Sequence, residues 1–367
     1  MTQSYLKKMA HTIIHYSMKL EKGEWFLIRC HPSAKSLAKE VYKEALAVGA
    51  HPQVWFEDQE FDELFYKNAS EEQLTYIDPI SKLRIEKLDA MLYIQGSDNT
   101  KSLANVPSEK MVKSIQAKKE LNDLYFERAD SGSLKWCICQ FPTNSAAQDA
   151  EMSRDEYEDF VFGACLLKEE DPIQAWKDLH DHQETIIAYL ADKKELRFKS
   201  IDTDLTLLVE GRKWINSDGR NNFPSGEVFT SPVEDSANGV IRFSFPGVFM
   251  DKPIEDITLT FENGKVIDAK AKAGNDLLQE VLNTDEGARF LGECAIGTNY
   301  GIQNFTKNIL FDEKLGGTIH LAVGRGFGEA GGTNVSSIHW DLICDMKTGG
   351  EIYADGQLFY KDGKFIK

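Results

Sequence analysis

Short apolar segments separated by amphipathic ones dominate the first half of this chain and constrain its fold more than any other feature. Residues 5–20 and 33–48 have the apolar spacing of helices. Four strand-like segments accompany them, at residues 25–30, 52–56, 88–94 and 136–139. Strands that alternate with helices predict a mostly parallel sheet covered on both faces, of the flavodoxin-like or Rossmann-like kind.

The pattern changes after about residue 195, where short strands and sharp turns replace the alternation. Asn-Gly at 263–264 and Asp-Gly at 355–356 and 362–363 are turn signals between strands. One helix is expected over residues 276–291. This half is typical of an antiparallel, β-rich α+β domain.

Two domains follow from this change of pattern. We predict an α/β domain at residues 1–195, which ends in a polar connecting helix, and a β-rich catalytic, metal-binding domain at residues 196–367. His180 and His182 lie on the connecting helix among acidic residues. Because positions two apart do not share a helix face, we interpret them as part of a solvated connector, not as a metal site.

Composition excludes several classes of partner. The formal net charge of −17 argues against a nucleic-acid partner, which needs a clustered positive surface. An acidic entrance would instead favour cationic substrates, such as peptides with a free amino terminus. Lys7, Lys8 and His11 interrupt the first apolar stretch, so no secretory pattern is present, and no run reaches the ~20 apolar residues of a membrane span. The six scattered cysteines predict free thiols in a reducing cytoplasm.

A group of carboxylates and imidazoles in the second half has the chemistry of a metal site. His339 and Asp341 project to one face if residues 338–341 form a strand, and His320 lies nineteen residues upstream. Glu227 and Glu293 stand in Gly-rich settings, Glu293 after the expected helix, where the helix dipole disfavours a negative charge. Three carboxylates and two imidazoles suit two cations such as Zn²⁺, Co²⁺ or Mn²⁺. Taken singly, each residue has an ordinary alternative, such as a core histidine or a solvated turn carboxylate.

A literal G-x-G-x-x-G motif at residues 326–331 raises the alternative of a nucleotide-dependent oxidoreductase. That fingerprint requires a strand, a tight turn and then a helix. Here a loop continues through residues 332–334, and Glu329 would place a negative charge against a pyrophosphate. We therefore interpret the segment as a mobile loop that borders a pocket.

Four motifs in one order carry a family resemblance. They are Pro-Ser-Gly-Glu-Val-Phe-Thr-Ser-Pro at 224–232, Leu-Gly-Glu-Cys-Ala-Ile-Gly at 291–297, Ile-His-Leu-Ala-Val-Gly at 319–324 and Ile-His-Trp-Asp at 338–341. In this order they resemble the signature of the aminopeptidase T and aminopeptidase S (PepS-type) metallopeptidases. The resemblance extends over the whole chain and is strongest from Phe223 onward.

The resemblance implies a cytosolic, homodimeric exopeptidase that removes N-terminal residues by means of two divalent metal ions, of zinc, cobalt, manganese or magnesium. The implied metal ligands are Glu227, Glu293, His320, His339 and Asp341, with Asp341 as a plausible bridge. A metal-activated water would attack the peptide bond. Glu227 or Glu293 would act as the proton acceptor; the sequence does not distinguish them.

The chain departs from the family pattern at one position. The family has a tyrosine seven residues after the histidine of the third motif, where this chain has Phe327, and the segment from His320 to His339 is short. Tyr300 is another possible source of a phenol. The departure leaves open a catalytically impaired binding or assembly protein that retains the aminopeptidase fold.

Overall fold

A computed structural model describes residues 2–249 and 252–366, which form two compact units. The first unit extends to Ile173 and also includes Gly219–Pro224. The second comprises Gln174–Asp218 and the described residues from Ser225 onward. The predicted boundary at residue 195 stays a prediction; the compact units divide the chain earlier, before Gln174.

The first unit contains a parallel five-stranded sheet. Its strands are β1 (Trp25–Cys30), β2 (His51–Phe56), β3 (Ala90–Gln95), β4 (Lys135–Gln140) and β8 (Asn222–Phe223). They lie in the order β2-β1-β3-β4-β8, and every neighbouring pair is parallel. A 2-1-3-4-5 order is the flavodoxin-like arrangement, so the predicted α/β class is confirmed.

Among the residues that the structure describes, nine α-helices of this unit connect or flank the strands. They are α1 (Thr2–Thr12), α2 (Lys35–Val48), α3 (Gln59–Asn68), α4 (Glu71–Thr75), α5 (Pro79–Lys87), α6 (Ser108–Ala117), α7 (Lys119–Asp130), α8 (Asn144–Asp149) and α9 (Arg154–Ala164). The sequence sets their ends. Ser153 and Glu156 form a capping box at the start of α9, and Gly49 ends α2 in a left-handed conformation.

The second unit contains an eight-stranded antiparallel sheet. Its strands are β5 (Glu195–Ser200), β6 (Thr203–Leu208), β10 (Asn238–Phe243), β13 (Ile257–Glu262), β14 (Lys265–Lys270), β18 (Glu351–Ala354), β19 (Gln357–Lys361) and β20 (Lys364–Phe365). The order is β14-β13-β10-β6-β5-β18-β19-β20. All three predicted turns connect neighbouring strands; Asn263 and Gly264 both have positive φ, as a two-residue hairpin turn requires.

A smaller five-stranded antiparallel sheet packs against the larger one. Its strands are β7 (Ile215–Ser217), β9 (Glu227–Thr230), β15 (Leu291–Gly297), β16 (Thr318–Gly324) and β17 (His339–Asp345), in the order β17-β16-β15-β9-β7. A separate hairpin pairs β11 (Gly247–Phe249) with β12 (Lys252–Ile254). The eight-stranded sheet and this five-stranded sheet contribute side chains to one buried apolar cluster. This confirms the predicted antiparallel α+β half.

Two of the expected helices differ in the structure. The helix expected at 276–291 is shorter: α11 (Asn275–Leu282) is followed by a single 3₁₀ turn (Glu286–Arg289) and then by β15. Glu293 is therefore in the middle of a strand, so the helix-dipole argument for it was wrong. A final short helix, α12 (Ile309–Asp312), precedes β16.

The connecting helix packs one face into the second unit, and much of its other face, His182 included, is exposed to solvent as expected. This helix, α10 (Pro172–Leu190), contributes Ile186 and Leu190 to the apolar cluster and buries Trp176 completely. His180 pairs with Asp218, with Nδ1 to Oδ2 at 2.8 Å. Within the described residues, no helix has both the length and the apolar character that a bilayer crossing demands.

Candidate metal centre

The smaller sheet carries all the candidate ligands on one face. Four neighbouring strands supply them: Glu227 on β9, Glu293 on β15, His320 on β16, and His339 and Asp341 on β17. Small residues stand opposite, in the pairs Glu227–Gly297, Glu293–Ala322, Asp341–Ala322, His320–Ala295 and His339–Gly324. Directly opposed residues share a face, so the five side chains project together, and the small partners leave them room.

The intervening residues explain why these segments are strands. Cys294, Leu321 and Leu342 alternate with the ligands and enter the apolar core on the other face. Polar side chains on one face and apolar packing on the other give these strands a period of two, although β15 and β16 are buried on both faces. The ligands are thereby fixed by a rigid sheet.

The distances divide the carboxylates into two kinds. His339 Nε2 lies 3.1 Å from Glu293 Oε2 and 3.4 Å from Asp341 Oδ1. His320 Nε2 lies 3.5 Å from Glu293 Oε1, 4.0 Å from Asp341 Oδ1 and 3.6 Å from Glu227 Oε2. Glu293 and Asp341 therefore reach both imidazoles. Glu227 reaches only His320.

Backbone carbonyls fix the orientation of both imidazoles. His320 Nδ1 lies 3.0 Å from the carbonyl oxygen of Glu313, and His339 Nδ1 lies 2.8 Å from that of Arg325. A carbonyl only accepts, so each Nδ1 carries the proton and donates it. Each Nε2 then faces the carboxylates, which is the arrangement of a metal-ligating histidine with its supporting hydrogen bond.

Three buried atoms at this face give a direct test of whether a cation fits. Glu227 Oε2, His320 Nε2 and Asp341 Oδ1 have no hydrogen-bond partner within the described part of the chain. Glu227 is 4% exposed and His320 is 1% exposed. Burying such atoms without a partner is costly, whereas a divalent cation would satisfy all of them at once. The residues present fit a metal.

The electrostatic field of the site favours cations. Burial alone would lower the pKa of His339, but the carboxylates of Asp341 and Glu293 outweigh it and raise this pKa to about 11. The pKa of Asp341 falls to about 2 because His339, His320 and Lys314 outweigh the opposite effect of burial. A field that holds a proton so firmly also attracts a divalent ion.

Two residues in the loop before β16 were missed by the sequence analysis. Ligand atoms of Glu313, His320 and Asp341 lie within 4.8 Å of one another, so Glu313 is a sixth candidate ligand. Lys314 is 1% exposed, and its Nζ lies 3.2 Å from Glu227 Oε1. Both residues follow a short helix in irregular chain, where no periodicity indicates which way a side chain points.

Close backbone contact holds the edge of the sheet beside the ligands. Gly324 has φ +104°, and a Cβ atom there would lie 2.2 Å from the carbonyl oxygen of Ile338. Only glycine fits this position, which stands directly opposite His339. The approach of residue 338 to Gly324 thus sets where β17 begins.

Asp285 anchors the chain just before β17. It accepts hydrogen bonds from the Ser337 backbone N–H, from the Ser336 and Ser337 hydroxyls and from the Ala288 N–H. These bonds lower its pKa to about 2, the Ser337 backbone bond most strongly. Asp285 therefore connects the 3₁₀ turn to the segment that leads into His339.

Asp285→Ala is expected to lower the free energy of unfolding by about 1 kcal/mol near neutral pH, as for a lost helix cap. Because the folded pKa is below the ordinary value of 3.8, this stabilisation is complete above pH 3.8 and is lost as pH falls towards 2. Urea unfolding should show that the free energies of unfolding of the wild type and of Asp285→Ala become equal as pH falls from 3.8 to about 2. A difference that does not change with pH would contradict the assignment; Glu286→Ala, at an exposed neighbour, is the control.

The Gly-rich loop lies beside the site. It contains one 3₁₀ turn (Gly328–Ala330) and no following helix, so it lacks the context of a dinucleotide fingerprint. The Phe327 ring lies 4.9 Å from the His339 ring, which places the position where the resemblance expects tyrosine at the candidate centre. The Tyr300 hydroxyl instead donates to the carbonyl oxygen of Gly363 at 2.8 Å.

Comparisons with known proteins agree with this geometry. A sequence model of the family described as thermophilic metalloprotease (M29) matches residues 2–365. Aminopeptidase AmpS of Bacillus subtilis is 28% identical, over 96% of this chain and 95% of its own length. Aminopeptidase T of Thermus thermophilus is 29% identical, over 98% of this chain and 95% of its own length.

A solved structure gives the same result for the fold. The chain superimposes on wild-type AmpT from Thermus thermophilus with a TM-score of 0.85 and 26% identity, over 99% of both chains. These matches support the peptidase interpretation and give no support to a non-catalytic assembly protein. The order of motifs, the sheet that carries them and the extent of the match have one explanation: the chain belongs to the thermophilic metalloprotease (M29) family.

Proposed function

We propose that this metal-dependent aminopeptidase hydrolyses the first peptide bond of its substrates at a two-cation centre on the smaller sheet. Glu293, His339 and Asp341 would hold one cation, and Glu227 and His320 the other; Glu293 and Asp341 lie near both imidazoles. The observation that carries the proposal is the convergence at this face of three buried ligand atoms that have no hydrogen bond within the described residues. Glu313 would complete the His320 side.

Bound divalent cations would supply Lewis acidity and a more acidic water at neutral pH. Residues of the chain orient the ligands and transfer the proton. The backbone carbonyls of Glu313 and Arg325 keep both imidazoles aimed at the centre. Glu227 or Glu293 accepts the proton of the attacking water and returns it to the leaving amine.

Selection for a free amino terminus would follow from the cation positions themselves. A neutral α-amino group has a lone pair that can bind a cation, and an acetylated amino group does not. Zn²⁺, Co²⁺, Mn²⁺ and Mg²⁺ are the candidate ions; imidazole ligands suit the first three better. We further propose a cytoplasmic homodimer. The cytoplasmic assignment is supported by six buried free cysteines, which suit a reducing compartment.

The test combines metal removal with two matched peptides. After dialysis against chelator, release of the first residue should fall at least roughly 100-fold, and Zn²⁺, Co²⁺ or Mn²⁺ should restore it. The same peptide with an acetylated amino terminus should resist cleavage under all conditions. Undiminished hydrolysis by metal-free protein, or equal cleavage of the acetylated peptide, would overturn the proposal.

A further inference from the structure

Lys314 is a buried lysine inside the candidate centre. It follows α12 in the loop that leads to β16, and its side chain is 1% exposed. A lysine is almost never buried so completely unless it has charged partners. Here the partners are carboxylates that face the proposed cations, so the position of Lys314 bears on how the centre takes up metal.

The contacts of Lys314 lie on one side of the centre. Its Nζ is 3.2 Å from Glu227 Oε1 and forms a second ion pair with the carboxylate of Glu313. The other oxygen of Glu227 faces His320 Nε2 at 3.6 Å. One carboxylate oxygen of Glu227 thus contacts Lys314, and the other faces the position where a metal would bind.

The other side of the centre has different partners. Within the described residues, the ion pairs of Glu293 are with His320 and His339, and those of Asp341 are with the same two imidazoles. Lys314 instead directs its Nζ at Glu227 and Glu313, where its positive charge opposes a metal that approaches these two carboxylates.

We infer that Lys314 makes the two cation positions unequal: the Glu293–His339–Asp341 position binds a divalent ion tightly, and the Glu227–Glu313–His320 position binds one weakly and reversibly. The inference rests on the proposed function. Lys314 acts as a positioning residue, because its charge competes with a metal for Glu227 and Glu313. The chain would then keep one ion and exchange the other with its surroundings.

Metal titration of the intact chain tests the inference independently of turnover. Calorimetric titration of metal-free wild-type protein with Zn²⁺ should give two steps whose dissociation constants differ by at least roughly 100-fold. Lys314→Met keeps the length of the side chain and removes its charge. It should tighten the weaker step at least roughly tenfold and change the tighter one much less, because Lys314 contacts Glu227 and acts on Asp341 only from further away.

Three further variants make the result interpretable. Lys314→Gln is a second neutral variant, in case methionine disturbs folding, which circular dichroism would detect. Lys347→Met removes an exposed lysine of the same unit and should leave both steps as in the wild type. His11, His15 and Glu44 form a separate, largely exposed group that could bind a further ion. The titrations are therefore repeated with His15→Ala added to each protein, which removes that group.

Each outcome has one meaning. Two separated steps that converge in the neutral variants support the inference. Two equal steps in the wild type, or a weak step that neither neutral variant changes, overturn it while leaving the ligand assignment intact. If the wild-type protein binds no Zn²⁺ ion tightly, the ligand assignment itself is overturned, and the inference with it.

Discussion

Asp341→Asn is expected to reduce peptide hydrolysis at least roughly 100-fold and to reduce bound metal at saturation. Loss of a hydrogen-bond partner behind a metal ligand already costs about 10–100-fold, and Asp341 is a proposed ligand that reaches both imidazoles. Asparagine keeps the shape of the side chain but removes the negative charge. Metal content by elemental analysis and release of the first residue from a peptide are the two measurements.

Asp345→Asn is the matched control, because Asp345 lies on the same strand and its carboxylate accepts a hydrogen bond from the backbone N–H of Lys347. This variant should retain metal and turnover. Circular dichroism should show that both variants fold, since β17 keeps its apolar contacts through Trp340 and Leu342. Normal metal content and normal turnover in Asp341→Asn would show that Asp341 is not a ligand.

Gly324→Ala should be the most destabilising of the substitutions considered, by about 2–4 kcal/mol, because it combines an unfavourable φ with overpacking. The added Cβ atom would lie 2.2 Å from the Ile338 carbonyl oxygen, so the start of β17 must shift. His339 stands directly opposite Gly324, and the shift would therefore also weaken metal binding. Urea unfolding and metal titration measure the two effects.

Gly328→Ala is the control for this substitution. Gly328 lies in the adjoining loop, and a Cβ atom there would meet nothing within 4 Å. We expect a change in unfolding free energy of less than about 1 kcal/mol, with metal affinity unchanged. Equal stability of the two alanine variants would show that the sheet edge accommodates a Cβ atom at residue 324.

Hydrophobic periodicity predicted much of the fold, because it reports which face of an element is buried. The four parallel strands were predicted in this way, whereas the two-residue turn at Asn263-Gly264 was predicted from its residue types. The fifth strand of the parallel sheet was missed, since Asn222–Phe223 is too short to show a period. The end of α11 was also misplaced: residues 286–289 form a 3₁₀ turn, and apolar spacing does not distinguish that turn from an α-helix.

The candidate site was partly predictable for a related reason. His339 and Asp341 stand two apart in a strand, and the structure places His320 and Glu293 beside them; their assignment as ligands stays a prediction. Glu313 and Lys314 lie outside any regular element, so only three-dimensional proximity reveals them. The sequence therefore indicated the metal chemistry but not the buried lysine beside Glu227.

The short strand β8 makes the order of synthesis matter for the first compact unit. Asn222–Phe223 pairs with β4 and forms the last strand of the parallel sheet, yet these residues emerge only after Gln174–Asp218. Until then, β4 has an unpaired edge, which invites pairing with other chains. A nascent chain that stalls before residue 219 would expose this unpaired edge of β4. Chaperones and proteases should therefore bind this unit until Asn222–Phe223 has emerged.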